Sequence, residues 1–197
     1  MLASIIIRTL NEATHLGNVL TAISQQKTIE LKWEVVLVDS GSTDETLEIA
    51  NHHGCRIKHI NREEFSFGRS LNIGCEAAKG DFLALISGHC VPVDENWLQN
   101  LCQPLIEKMS EYTYGRQFGG SESYYSECRI FAKYYPEQSR IPQDGFYCNN
   151  ANSALTTSAW LEFRFDEEVT GLEDMELAHR LTHRGGKVSY IADASVF

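Results

Sequence analysis

The sequence has no C-x-x-C pair, no long apolar run, no basic surplus and no linker, and each absence removes a class of protein. Its six cysteines, Cys55, Cys75, Cys90, Cys102, Cys128 and Cys148, are scattered through a chain long enough to build a sizeable core. A zinc ribbon or a disulfide scaffold would cluster them, so reduced and mostly buried thiols are expected. The most apolar stretch, Phe82 to Ile86, ends at Ser87-Gly88-His89, far short of the ~20 residues a membrane span requires. No transmembrane segment is expected, and any association with a membrane would be peripheral. Met1 to Ile7 enters a strand pattern directly, without the charged head and apolar middle of a secretory leader. A cytoplasmic location, at most against the inner face of a membrane, is therefore the expectation. Seventeen basic against 27 acidic residues leave a net charge of -10, which repels phosphate backbones and removes nucleic acid as a partner. With no Pro/Gly/Ser-rich linker and no repeat, the 197 residues are read as one domain.

What is present is a regular alternation of strand and helix. Ser4 to Ile7, Trp33 to Val38, Arg56 to Ile60 and Asp81 to Ile86 carry the apolar signature of strands. Between them Leu16, Val19, Leu20 and Ile23 recur at helical spacing, Ser42-x-x-Glu45 has the form of a capping box, and Ser70 to Ala78 reads as a helix stopped by Gly80. Such alternation predicts a parallel sheet covered on both faces, with every strand-to-helix loop, and the ligand, at the carboxyl edge. Beyond Pro92, Asp94 is expected to cap a helix carrying Trp97, Leu98, Leu101 and Leu105. The stretch from Tyr112 to Tyr147 is loop-rich and aromatic, serving as core or as a surface for a ring-like substrate. A short strand at Ala154 to Thr156, a helix with Met175, Ala178 and Leu181 on one face, and a strand at Lys187 to Ile191 complete the pattern.

Three loops at the expected carboxyl edge carry polar chemistry. Asp39 ends the second strand, where its carboxylate can accept from a base N–H or a ribose hydroxyl, or can hold the backbone of the Ser40-Gly41 turn. Arg8-Thr9-Leu10-Asn11-Glu12 precedes a helix, a natural place for phosphate or base contacts, with Asn11 also able to cap that helix. Arg69 can donate in pairs to a base or diphosphate, or keep a solvated tip. Glu173 and Asp174, alone, read as helix N-terminal acids favoured by the macrodipole. His52 and His53 belong to a solvated helix end, and His179 and His183, at i and i+4, lack the glutamate of a metalloprotease helix and are read as a surface pair.

In order and spacing these loops resemble the nucleotide-binding half of the family 2 glycosyltransferases, which have the GT-A fold. The matching pieces are Ser4-Ile5-Ile6-Ile7-Arg8-Thr9-Leu10-Asn11-Glu12, then Val35-Val36-Leu37-Val38-Asp39-Ser40-Gly41-Ser42-Thr43-Asp44, and Gly68-Arg69-Ser70-Leu71-Asn72. Asn150-Ala151-Asn152-Ser153 and Gly171-Leu172-Glu173-Asp174 look like the acceptor-side half. The resemblance implies an α/β, Rossmann-like three-layer sandwich with a mostly parallel central sheet, residues 1–92 forming the nucleotide-sugar half and 93–197 the acceptor half. It further implies an inverting transfer from a nucleoside-diphosphate sugar to a hydroxyl of a glycan or lipid-linked acceptor. Thr9, Asn11, Glu12, Asp39, Arg69, Ser87 and Gly88 would contact the donor, Asn152 and Glu173 would lie on the acceptor side, and Asp174 would be the general base. A sugar hydroxyl attacks well only as its proton is removed, and a diphosphate leaves readily only when its charge is neutralised. Phe65-x-Phe67-Gly68 is also loosely similar to bacterial rhamnosyltransferases.

The departure lies at the fourth strand, where Ser87-Gly88-His89 stands in place of the family's Asp-x-Asp. His89 can still ligate a divalent cation, Mn²⁺ or Mg²⁺, through a neutral imidazole, but supplies no charge. A retained metal, metal-free transfer with His89 or Arg69 steadying the diphosphate, and binding without transfer remain three readings, the first preferred. The family often places a histidine just after a closing stretch like Ala192 to Phe197, so the acceptor half is expected to be truncated at its C-terminus. The absence of Gln-x-x-Arg-Trp argues against a processive synthase, and the absence of a glycine-rich basic loop after the first strand argues against a nucleotidyltransferase.

Overall fold

The computed structural model describes residues 1–119 and 124–197, with 125–128 and 130 as backbone only. Among the described residues seven strands form one sheet: β1 (Leu2–Thr9), β2 (Lys32–Asp39), β3 (Arg56–His59), β4 (Phe82–Ser87), β5 (Tyr112–Gln117), β6 (Asn152–Thr156) and β7 (Val188–Val196), in the order β3-β2-β1-β4-β6-β5-β7. β6 is antiparallel to both neighbours, and the other pairings are parallel. Hence β1, β2, β4, β5 and β7 all end at one edge, where the alternation predicts a ligand.

The helices are α1 (Ala13–Ser24), α2 (Thr46–His52), α3 (Phe67–Ala77), α4 (Trp97–Ile106), α5 (Tyr125–Tyr134), α6 (Thr157–Phe163) and α7 (Glu173–His183). Strand residues alternate between the faces, so Ile5 and Ile7 join Leu16, Ile23, Trp97 and Leu101 in one core, while Ile6 joins Leu71, Trp160 and Leu177 in the other. That is the three-layer arrangement expected, with burial on both faces explaining the near-continuous apolar runs of β1 and β4. Among the described residues no helix is long and apolar enough to cross a membrane.

Several local expectations are corrected. Ser42 and Glu45 form no capping box: α2 starts at Thr46, and the Ser42 hydroxyl donates to Asp39 Oδ1 at 2.5 Å instead. Asp94 does not cap α4, whose preceding residue is Asn96; its Oδ1 accepts from the Asn96 N–H at 2.7 Å, shaping the turn before the helix. α3 begins at Phe67 rather than Ser70, because Ser66 caps it by accepting from the Arg69 N–H. The aromatic stretch holds β5 and α5, and its rings divide. Tyr112, Tyr114 and Tyr135 are buried core, whereas Tyr124, Tyr134 and Phe146 are exposed. The Tyr125 and Cys128 side chains lie outside the described residues. Cys55, Cys75, Cys90, Cys102 and Cys148 are free thiols, four of them buried as expected and Cys55 half-buried. Burial pushes the Cys90 and Cys102 thiols up to about 12, so they are packing groups.

At the opposite edge of the sheet Glu34 fastens four segments. Its Oε1 accepts from the Ser4 hydroxyl and the Lys79 N–H, both at 2.8 Å, and its Oε2 lies 2.6 Å from Arg56 Nη2. Burial pushes this carboxyl up, but the bonds from Ser4 and Lys79 and the Arg56 charge outweigh it and hold the group below its ordinary value. A lowered carboxyl adds stability that is fully present above the unfolded value of about 4.3 and is lost as pH falls through the folded one. Glu34→Gln is therefore expected to lower the unfolding free energy at neutral pH by about 1–3 kcal/mol. In denaturant titrations the gap between the two proteins should close as pH drops below about 4; a gap constant with pH would contradict this account.

Candidate active site

The ends of β1 and β4 lie side by side, with Arg8 registered against Ser87, and Thr9 on the other flank registered against Asp39. They enclose a cavity of about 370 Å³ lined by Arg8, Thr9, Glu12, Ser40, Arg62, Phe65, Phe67 and Ser87-Gly88-His89. Gly88 is what lets the two loops close on each other, since a Cβ there would meet Glu12 Cγ at 3.0 Å and Thr9 Cγ2 at 3.2 Å. Of the residues expected to contact the donor, Thr9, Glu12, Ser87 and Gly88 thus share one cavity, together with His89, the expected metal ligand.

Asn11, Asp39 and Arg69 do not line it. Asp39 is buried, and its carboxylate accepts from the Gly41 N–H at 2.9 Å, the Ser42 N–H at 3.0 Å and the Thr9 hydroxyl at 3.3 Å. The turn-holding role of Asp39 is thus present in the structure. Asn11 does not cap α1: Glu12 precedes that helix, and Asn11 Oδ1 accepts from the Thr43 N–H at 2.8 Å. The Asn11 N–H in turn donates to Ser42, and the Glu12 N–H to Thr46, so the β1 and β2 loops are stitched together. Arg69 points to Glu64, 3.5 Å away on the 3₁₀ turn Arg62–Glu64, and the neighbouring Arg62 takes the place in the cavity expected for it.

Arg8 is the residue that reading the sequence undervalued. As a strand residue two positions after Ile6 it faces the α7 side, and the alternation could have revealed this. Its guanidinium lies 5.0 Å from the Phe67 ring centre and 3.7 Å from Glu173 Oε1, and its Nη1 is buried without a hydrogen-bond partner. Burial lowers its pKa, while the charges of Glu173 and Asp174 act the other way. Arg8 therefore joins the cavity to the acid pair at the start of α7.

Glu173 and Asp174 are both buried. Asn150, the other residue overlooked, holds the pair: its N–H donates to Asp174 Oδ2 at 3.1 Å, and its side-chain amide reaches Glu173 Oε1 at 3.5 Å. Asn150 is itself held by bonds to its Oδ1 from the buried Tyr112 hydroxyl and from Ser153. Asn152, expected on the acceptor side, is instead fully buried. Its Oδ1 accepts from Trp97 Nε1 at 2.9 Å, and its amide donates to the carbonyls of Ala194 at 2.8 Å and Arg116 at 3.1 Å. It faces the core because it occupies the first position of β6, opposite Ile86.

The chain matches glycosyl transferase family 2 over residues 4–164. It belongs to that family. The O-antigen chain rhamnosyltransferase RfbN of Salmonella typhimurium is 26% identical over 210 residues, an alignment taking in 100% of this chain and 66% of RfbN. WbaN of Salmonella anatum, also an O-antigen chain rhamnosyltransferase, is 25% identical over 87% of this chain and 58% of its own length. The family 2 chain thus spans less than two thirds of the curated relatives it matches. Among solved structures, Staphylococcus aureus TarS with UDP-GlcNAc superposes with a TM-score of 0.78 at 18% identity, over 100% of this chain and 57% of that one. The mannosyltransferase PcManGT of Pyrobaculum calidifontis, with GDP-Man and Mn²⁺, gives 0.77 at 18%, over 98% and 55%. The fold is GT-A.

The solved structure of PcManGT holds Mn²⁺, and a divalent cation of that kind needs several oxygen or nitrogen ligands converging on one point. Among the described residues no three ligating side chains converge. Glu12 Oε1 and His89 Nδ1, however, are hydrogen-bonded to each other at 3.0 Å at the cavity wall, a separation that two adjacent ligands, each about 2.1 Å from a six-coordinate ion, would also have once the shared proton is lost. One carboxylate and one imidazole suit Mn²⁺ or Mg²⁺, with diphosphate oxygens able to complete the shell. Glu12, in the β1 loop, is thus a candidate second ligand beside His89.

Proposed function

We propose that the chain is an inverting glycosyltransferase that moves a sugar from a nucleoside-diphosphate donor to a hydroxyl of a glycan or lipid-linked acceptor. The observation that carries this reading is one cavity holding Arg8, Arg62, Glu12 and His89, joined through Arg8 to Glu173 and Asp174. In a chain of net charge -10, two arginines at one strand edge select an anion. The diphosphate meets Arg8 and Arg62, Thr9 and Ser87 offer hydroxyls, and Phe65 and Phe67 give an apolar wall for a base or sugar ring. Asn11 and Asp39 serve the donor through the loop they hold. Glu12 and His89 would hold a divalent cation, which supplies neutralisation of the departing diphosphate.

Asp174 takes the proton of the acceptor hydroxyl as that oxygen attacks the anomeric carbon opposite the diphosphate. The glycosidic bond forms as the bond to the leaving oxygen breaks, and configuration inverts. The rhamnosyltransferases RfbN and WbaN, together with the Phe65–Phe67 wall, support a deoxyhexosyl donor. Residues 1–92 would carry the donor and 93–197 the acceptor. A lipid-linked acceptor would bring the chain to the inner face of a membrane. A second reading, nucleotide-sugar binding without transfer, is favoured by Ser87-Gly88-His89 in place of two aspartates. Hydrolysis and transfer measured with UDP-, GDP- and dTDP-sugars separate the two. Turnover that falls on chelation with EDTA and returns with Mn²⁺ is expected; nucleotide binding with no turnover for any donor would favour the second reading.

A further inference from the structure

Apart from the donor cavity, a concavity of about 510 Å³ opens where β5 ends, and its wall carries Arg116, Tyr135, Ser139 and Arg140. Arg116 is incompletely satisfied. Its Nε is buried without a hydrogen-bond partner, and the acid beside it, Glu137, stands 3.7 Å away with a side chain 88% exposed. An ion pair so long and so solvated binds its guanidinium weakly. Arg140 is fixed through its backbone, which exchanges hydrogen bonds of 2.9 and 3.0 Å with Tyr190, leaving its exposed side chain available to a ligand. Both arginines line this one concavity; burial pushes the Tyr190 hydroxyl up, the Arg116 and Arg140 charges oppose it, and Asp193 adds to the rise.

The concavity also borders the core on which α7 packs. Tyr135 lines it, accepts a hydrogen bond from the Tyr147 hydroxyl at 3.3 Å, and packs in the same core as Leu177 of α7. Burial raises the Tyr135 hydroxyl, and the Asp174 charge is among the groups that raise it further. A ligand held at this wall therefore lies against the core that α7 completes, on residues separate from those that line the donor cavity.

We infer that this concavity is the acceptor subsite and that Arg116 and Arg140 hold a phosphate or diphosphate group carried by the acceptor. The assignment as acceptor rests on Asp174 being the base; the recognition of the anion does not. Guanidinium forks match phosphate oxygens in pairs, and in a chain of net charge -10 such a group is repelled by most of the remaining surface.

The experiment is a calorimetric titration with the donor cavity saturated by UDP and Mn²⁺, using pyrophosphate, geranyl diphosphate and geraniol as probes. The two diphosphates are expected to bind and geraniol not to. Tighter binding of geranyl diphosphate would point to a lipid-linked source, and equal binding to recognition of the phosphates alone, each consistent with the subsite. Arg116→Gln and Arg140→Gln should each weaken diphosphate binding at least tenfold while leaving UDP affinity unchanged; Arg140, being exposed, is the variant that folds regardless. No diphosphate binding, or binding indifferent to both substitutions, would overturn the proposal. Because Asp174→Asn should leave this titration unaltered while slowing transfer by about 10²–10⁴-fold, failure of the base reading is seen separately.

Discussion

Asp174→Asn is expected to lower kcat by about 10²–10⁴-fold, the usual contribution of a general base, with nucleotide affinity unchanged. The amide keeps the size of the carboxylate and can still accept the Asn150 N–H bond that holds it, so the site keeps its shape while losing the group that takes the proton. Binding of the donor should be spared because Asp174 does not line the donor cavity. The competing role is structural: Asp174 stands in the first turn of α7 beside Glu173 and Glu176, where an anion contributes about 0.3–1 kcal/mol through the helix dipole. If that were its whole role, the variant would lose stability by such an amount and keep its turnover. Single-turnover kinetics alongside thermal melts decide between the two.

Asn152→Ala carries the largest expected loss of stability. The side chain satisfies Trp97 Nε1 of α4, the Ala194 carbonyl of β7 and the Arg116 carbonyl of β5, all from a position with no exposure. Removing it leaves buried donors and acceptors unpaired at about 1–3 kcal/mol for each group, so a total on the order of 3–5 kcal/mol is expected. That is a large part of the roughly 5–15 kcal/mol by which a domain is stable. Gly115 shows how closely the amide is fitted, since a Cβ there would stand 2.3 Å from Asn152 Nδ2. The reading as an acceptor contact predicts the reverse, a raised acceptor KM with an unchanged melting temperature. Denaturant unfolding of the variant distinguishes them.

The two misjudged asparagines show where sequence reading reached its limit. Asn150 and Asn152 sit two residues apart in one polar segment, and their types gave no reason to separate them. Asn150 precedes β6 and holds the acid pair, whereas Asn152 pairs with Ile86 inside the sheet and turns into the core. The antiparallel placement of β6 between β4 and β5 decides this, and no local periodicity encodes it. The parallel half was legible because β1, β2 and β4 are buried on both faces and so read as apolar runs, and because Leu16, Val19, Leu20 and Ile23 mark the buried side of α1. Asp39 and Asn11 were located at the right edge, and their side-chain oxygens also hold the loop together. Polar residues at a strand end build the site and contact the ligand with the same side-chain types, and only the hydrogen-bond partners tell these uses apart.

The most direct test of the donor site is a crystal structure of the protein grown with UDP and MnCl₂. The account predicts the diphosphate between Arg8 and Ser87-Gly88-His89, with a cation bound by Glu12 and His89 and the Arg8 guanidinium bridging phosphate and Glu173. A nucleotide bound on another face, with nothing in the cavity between β1 and β4, would contradict it.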